Sequence, residues 1–99
     1  AAEAWLLHAR VARREGDVER EEQALLEAVA ALTVAGAEPA PSLVVAQVHL
    51  ALAKLYERKR KDPLRALPHA QLTVPAEDED QAARRLARLH QALSSKRFL

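Results

Sequence analysis

The sequence predicts an all-α domain of about five antiparallel helices, packed as a short α-solenoid that ends in a capping helix. Apolar residues recur at helical spacing in every long segment, which is typical of amphipathic helices. Gly, Pro and Asp residues separate these segments in the manner of helix ends and helix starts. The stretch 42–61 is apolar around most of its circumference, so we expect a central helix with neighbours on more than one side.

A first helical hairpin is predicted at residues 2–35. Trp5, Ala9 and Ala12 are spaced i, i+4 and i+7, so they share one face of its first helix. Gly16 stands where a left-handed C-cap can end that helix. Asp17 follows as a side chain that can accept a free backbone N–H of the second helix. Because only a short turn separates the two helices, we expect them to pack against each other.

A linker at 36–41 and a second hairpin at 42–74 are predicted next. The linker contains a glycine and two prolines, which cannot continue a helix. Ser42 is the predicted N-cap of the central helix. The Asp-Pro pair at 62–63 is typical of a new helix start. Pro68 leaves two alternatives, because proline inside a helix removes a backbone donor: the fourth helix is kinked, or it starts at Pro68 itself.

The last predicted helix, at 76–95, is a capping helix that completes a single domain over residues 1–99. Asp78 and Gln81 at its start resemble a capping box. Its apolar residues form one stripe and leave a polar outer face, as the end of a helical array requires. The residues expected on this outer face are Arg84, Arg85, Arg88 and Gln91.

The first hairpin resembles a tetratricopeptide repeat, a two-helix unit that occurs in arrays. The matching positions are Trp5, Ala9, Gly16, Asp17, Leu25 and Ala28. His8 and Glu21 depart from the repeat pattern. The second hairpin matches less closely, at Leu52, Ala53, Tyr56 and Ala66. The resemblance implies that Trp5 is largely buried between the first two helices and that Ala9 and Ala28 are close-contact positions. It also implies a role in binding other proteins.

A narrower resemblance covers the second half of the chain. Residues 50–67, LALAKLYERKRKDPLRAL, and 84–93, RRLARLHQAL, are similar to the helical C-terminal region of bacterial RNase H-like, DEDD-exonuclease-related proteins. The catalytic carboxylates of such enzymes lie in a preceding domain, and none of them falls on this chain. The chain begins without Met inside a predicted helix, so we expect it to be one domain of a longer protein.

The composition disfavours several classes of function. Fifteen Lys and Arg residues against 14 Asp and Glu residues give a formal charge of +1, which provides no overall attraction to nucleic acid or membranes. There is no Cys, and therefore no disulfide and no Cys-ligated zinc. No run of about 18 apolar residues is present, so we expect no membrane association and a cytoplasmic location.

No residue pattern indicates catalysis. The acidic run 77–80 cannot converge on one ion, because consecutive helical residues point in different directions. The histidines fall on four different predicted helices and show no i, i+4 spacing of metal ligands. They are His8, His49, His69 and His90. We therefore predict a protein that is not an enzyme, with no catalytic residue, metal site or cofactor.

Two surfaces are the candidate sites. Leu6, Leu7 and Val11 cannot all face the second helix, so we expect them to form a surface for an upstream domain of the parent chain or for a homodimer. The second surface is a basic run that can contact phosphates, although a solvated helix end that complements the helix dipole explains it more simply. Its residues are Lys54, Arg58, Lys59, Arg60, Lys61 and Arg65.

The sequence therefore supports two functions. The first is a non-catalytic protein–protein interaction or scaffold module built on tetratricopeptide-like helices. The alternative is a nucleic-acid-binding accessory module of an exonuclease-like enzyme, which uses the basic edge at 54–65. Nucleic acid is not the favoured partner, because no exposed aromatic residues are interleaved with the cations for base stacking.

Overall fold

A computed structural model of the chain describes residues 2–34 and 40–96. Its helices are α1 (Ala2–Arg14), α2 (Val18–Leu32), α3 (Ser42–Lys54), α4 (Pro63–Ala70) and α5 (Glu79–Lys96), and a π-helical turn, Leu55–Lys59, continues α3. No strand occurs within 2–34 or 40–96, so the all-α prediction is confirmed. Most of the predicted linker at 36–41 lies outside the described residues. Helix α2 was predicted to end at residue 35, but it ends earlier, at Leu32, with Thr33 as its C-cap.

The turn between α1 and α2 is built as predicted. Gly16 adopts a φ of +75°, the left-handed conformation that a residue without Cβ accepts most easily. The Asp17 N–H donates to the Ala12 carbonyl at 2.9 Å and the Gly16 N–H to the Arg13 carbonyl at 3.1 Å, which is a Schellman C-cap. The Asp17 carboxylate then accepts the backbone N–H of Arg20 at 3.1 Å and caps α2.

The predicted N-cap of α3 is wrong. Pro41 takes the N-cap position and Ser42 is the first residue of the helix, with no side-chain cap bond. The Pro41 carbonyl accepts the backbone N–H of Val45 at 3.1 Å, the first bond of the helical ladder. The proline ring restricts φ at position 41, which is −55° in the structure. The chain therefore enters α3 through a rigid residue and without a hydroxyl cap.

The central helix was predicted to continue as far as Lys61, and it differs from that prediction after Lys54. The Arg60 N–H donates to the Leu55 carbonyl at 3.0 Å, five residues back, and the Asp62 N–H donates to the Tyr56 carbonyl at 2.7 Å. The first bond is the i to i−5 type that defines a π-helical turn, and the second spans six residues and closes the end of that turn. Lys61 then has a φ of +53°, and this left-handed residue separates the turn from α4.

Helix α4 begins at Pro63, so the alternative start at Pro68 is wrong. The Asp62 carboxylate caps it by accepting the backbone N–H of Arg65 at 3.1 Å. Pro68 lies inside the helix but close to its end at Ala70. Because Pro68 has no N–H, the helix lacks the one bond that this residue would donate to the Leu64 carbonyl.

Helix α5 begins later than predicted, at Glu79, with Asp78 before it. The Asp78 carboxylate accepts the backbone N–H of Gln81 at 2.7 Å, so the predicted Asp cap is confirmed. The prediction that Arg85 lies on the polar outer face is wrong, because Arg85 is only 5% exposed. Arg84 is exposed as predicted. Arg85 points inward because two carboxylates from other parts of the chain, Glu57 and Glu77, receive its guanidinium.

The helices pack in sequence order: α1 on α2, α2 on α3, α3 on α4 and α4 on α5, and α1 also touches α3. Their core is aliphatic and alanine-rich, with Tyr56 as its aromatic member. Ala9 and Ala28 are both buried, as close-contact positions require. The largest fully buried side chains are Leu25, Leu52, Leu55, Leu89, Val48 and Thr73.

Trp5 is not buried between α1 and α2, which corrects the prediction. The residue is 37% exposed and lies in a surface hollow between these helices, with its ring centroid 5.6 Å from that of His8. Leu6 takes the inner position instead and is 5% exposed. Trp5 keeps its helical spacing from Ala9, but its ring lies at the edge of the contact between α1 and α2. The small alanines bring these helices too close together for an indole to fit between them.

Candidate functional site

One concave surface of the described chain is a groove between α1 and α3, which we call the α1–α3 groove. Its cavity measures about 240 Å³, and α2 closes it from below with Leu25 and Glu21. Apolar side chains line one part and cations line another, so the groove is amphipathic. The lining residues are Leu6, Ala9, Arg10, Arg13, Glu21, Leu25, Gln47, Leu50, Ala51, Lys54 and Ala76.

The basic part of the groove combines cations from two helices. An adjoining hollow of about 140 Å³ brings Arg13 of α1 beside Lys54 of α3 and Arg58 of the π-helical turn. A second adjoining hollow, of about 260 Å³, is lined by Arg10, Arg13 and Arg14. No carboxylate within 2–34 or 40–96 forms an ion pair with any of these cations. Their positive charge is therefore free to meet an external anion.

The pKa of Lys54 is affected by this concentration of positive charge. Its pKa is lowered from the usual range first by burial, and then by the neighbouring cations Arg58, Arg85 and Arg13, while Glu77 acts in the opposite direction. Each neighbouring cation disfavours the charged ammonium. An anion placed in the groove would remove that penalty, so the electrostatics favour negatively charged ligands.

The basic run at 54–65 is divided by the fold. Lys59 pairs with Glu21 at 2.6 Å, and Arg60 pairs with Glu22 at 2.8 Å. Arg65 lies 3.6 Å from the same Glu22 carboxylate. Because these three cations already have acidic partners on α2, they are less available to phosphates than the sequence suggested.

Of the six predicted phosphate-contacting residues, Lys54 lines the α1–α3 groove, Arg58 lines the adjoining hollow of about 140 Å³, and Lys61 is exposed. The sequence reasoning did not identify Arg10 and Arg13 as site residues. Their i, i+3 spacing at the end of α1 puts them on one side of that helix, which was a readable signal. What the sequence lacked was the partner helix, since only tertiary packing sets them beside Lys54.

Two of the three residues of the predicted apolar surface on α1 are exposed in the structure. Leu7 is 59% exposed and Val11 is 45% exposed, one helical turn apart on the same side of α1. Leu6 is instead part of the core. The surface available to a partner or a second copy is therefore Leu7 and Val11.

A polar cluster joins α2, α3 and α4 on another side of the molecule. The Tyr56 hydroxyl donates to the Glu22 carboxylate at 2.8 Å. Burial and this carboxylate raise the pKa of Tyr56 to about 12. Burial alone would raise the pKa of Glu22, but the hydrogen bonds from Tyr56 and Arg60 outweigh it and lower that pKa. The cluster holds charge in a fixed arrangement and offers no poised nucleophile or base.

The structure brings together one pair that sequence spacing did not indicate. The Nδ1 atoms of His49 and His69 lie 2.9 Å apart, between α3 and α4. His8 and His90 are exposed elsewhere. Within residues 2–34 and 40–96 no group of three or more His, Asp or Glu side chains is arranged to hold a metal ion. None of the helices in this part of the chain is both long and apolar enough to cross a bilayer.

No family model matches the chain, and comparison with the curated proteins and with the solved structures finds no significant match. The tetratricopeptide-like and exonuclease-related resemblances therefore stay predictions.

Proposed function

We propose that this chain is a non-catalytic protein-interaction module that holds an acidic segment of a partner protein in the α1–α3 groove. The observation that carries the proposal is the set of unpaired cations, Arg10, Arg13 and Lys54, around an apolar floor. Charge complementarity steers such a segment into the groove and sets its orientation. Aliphatic side chains of the same segment then bury apolar surface against Leu50 and Ala51, which line the groove and are partly exposed.

The proposal includes a tetratricopeptide-like arrangement, in which the helices form a short antiparallel solenoid and α5 caps its end. The sequential packing of α1 to α5 and the contact between α1 and α3 support it. The proposal also places the module in a bacterial cytoplasm as part of a longer chain, and the sequence resemblance is its support there.

A fluorescently labelled peptide of alternating Glu and Leu tests the proposal by anisotropy. We expect saturable binding that weakens as salt is raised, and no binding of the matched Lys and Leu peptide. Arg13→Glu and Lys54→Glu should each reduce the affinity about tenfold or more, since about 1.4 kcal/mol corresponds to a factor of ten. Arg84→Glu is the matched control, because it makes the same charge change on an exposed residue of α5.

A labelled single-stranded oligothymidine separates this function from the nucleic-acid alternative. If the oligonucleotide binds while the acidic peptide does not, the groove proposal is wrong and the accessory-module function replaces it. In that case Arg58→Glu and Lys61→Glu should weaken binding, because neither cation has a carboxylate partner among the described residues.

A further inference from the structure

We propose that His49 and His69 form a pH-sensitive hydrogen bond between α3 and α4. The bond persists while the pair carries at most one proton more than two neutral rings do, and it breaks when both rings are cations. The ring centroids are 5.2 Å apart, the ring planes differ by 24°, and the Nδ1 atoms are separated by 2.9 Å. The centroid separation exceeds the nitrogen separation by about one ring width. The two nitrogens therefore face each other near the line between the ring centres.

This head-on geometry requires a shared proton. A neutral imidazole carries one N–H, so one ring must hold its proton on Nδ1 and donate, while the other holds its proton on Nε2 and accepts. A first added proton goes to the free Nε2 of the donor ring and leaves a charge-assisted bond between the rings. A second added proton puts an N–H on both facing nitrogens, which removes the only acceptor and sets two cations against each other.

No carboxylate offsets that second charge. The Tyr56 ring lies beside His69, with centroids 5.9 Å apart, and its hydroxyl is directed to Glu22. Arg65 also lies over the Tyr56 ring, at 5.6 Å from its centroid. The Glu22 carboxylate is occupied by Tyr56, Arg60 and Arg65. No hydrogen bond or ion pair of the described residues joins a carboxylate, on α5 or elsewhere, to either imidazole.

The direction of titration agrees with the geometry. Burial lowers the pKa of both rings, and the neighbouring His49 lowers the pKa of His69 further. Stability from the pair is therefore complete above the ordinary histidine pKa of 6.5 and is lost as the pH falls towards the lowered values. Acid releases α4 from α3, while the α1–α2 hairpin, which contains neither ring, is unaffected.

Nuclear magnetic resonance of the wild-type chain, in buffer containing EDTA to exclude bound metals, tests the proposal. Near neutral pH, imidazole ¹⁵N shifts should show opposite tautomers for His49 and His69. On acidification the pair should titrate in two steps, with the second step at least about one pH unit below the ordinary histidine pKa of about 6.5. Identical tautomers, or titration of both rings in a single step at that ordinary pKa, would overturn the proposal.

Hydrogen exchange gives the second readout. Between pH 7 and pH 5, protection factors should fall in α4 and in the facing part of α3 and stay constant in α1 and α2. His49→Gln/His69→Gln removes both titrating groups and keeps amide donors and acceptors, so the fall should disappear. His8→Gln/His90→Gln is the matched control and should retain it. An equal loss of protection in both double variants would contradict the proposed role of the His49–His69 hydrogen bond.

Discussion

Arg85 donates two hydrogen bonds to Glu77, from Nε to Oε1 at 3.2 Å and from the terminal nitrogen to Oε2 at 3.0 Å, and both side chains are buried. The same guanidinium donates to Glu57 at 2.9 Å, and Thr73 donates to the Glu77 carboxylate at 2.7 Å. This network ties α5 to the π-helical turn and to the segment before α5. Every buried side-chain donor and acceptor of the described residues has a partner, so the network is satisfied.

We expect Arg85→Ala to destabilise the domain by about 3–5 kcal/mol, because it leaves the buried Glu77 carboxylate without its cation. Arg84→Ala is the matched control on the same helix and should change stability by less than about 0.5 kcal/mol, since Arg84 is exposed. Urea unfolding followed by circular dichroism measures both. Equal effects of the two substitutions would contradict the buried network.

Acid should destabilise the domain through three carboxylates, Glu22, Glu57 and Glu77. Burial acts to raise the pKa of each, but hydrogen bonds and charges from arginines, with Tyr56 or Thr73 at two of them, outweigh it and lower each pKa below 4.5. Their stabilisation is complete above about pH 4.5 and is lost as the pH falls through the lowered values. Urea midpoints measured from pH 6 to pH 3 should fall, and the decrease should be smaller in Glu77→Gln.

Tyr56 is the single tyrosine of the chain, so its phenolate absorbance can be followed without interference. We expect it to ionise near pH 12, against about 10 for a free tyrosine, because it is buried and donates to a carboxylate. Tyr56→Phe removes this bond and should cost about 1.5–3 kcal/mol, the usual net value of a hydrogen bond to a charged group. Ionisation at the ordinary pKa would show that the bond to Glu22 does not form.

Ala9→Leu should cost about 1–3 kcal/mol, because the added side chain must enter the close contact between α1 and α2. Trp5→Ala should cost only about 1–2 kcal/mol, less than the ~3–5 kcal/mol of a fully buried aromatic, since the ring is partly in solvent. Thermal unfolding of the two variants ranks them. Rapid iodide quenching of Trp5 fluorescence should accompany the small effect.

Self-association through Leu7 and Val11 remains a prediction. If wild type forms a two-fold dimer, Leu7→Glu should convert it to a monomer without unfolding, because the residue is 59% exposed. Arg84→Glu is the control that should leave the dimer intact. Sedimentation of the wild-type chain measures the state directly. A monomer at high micromolar concentration would remove this surface from the candidate interfaces.

Local sequence determined the helices and most of their ends. Gly16, Asp17, Asp62 and Asp78 act on backbone groups within a few residues, so their identities alone predict the caps that the structure shows. Apolar spacing likewise placed Ala9 and Ala28 in the core, because a helix has one period whatever it packs against.

Tertiary structure alone decided which charged side chains are free and which are paired. Glu21 meets Lys59 across 38 residues of sequence, and Glu57 meets Arg85 across 28, and neither distance leaves a local pattern. The same holds for His49 and His69, which lie 20 residues apart. A helical period says which side a residue lies on, but the identity of the facing side chain depends on how separate helices pack. For this reason three cations of the basic run pair with carboxylates of α2 and are less available than the sequence suggested. Arg10 and Arg13, which the sequence did not indicate, line the α1–α3 groove.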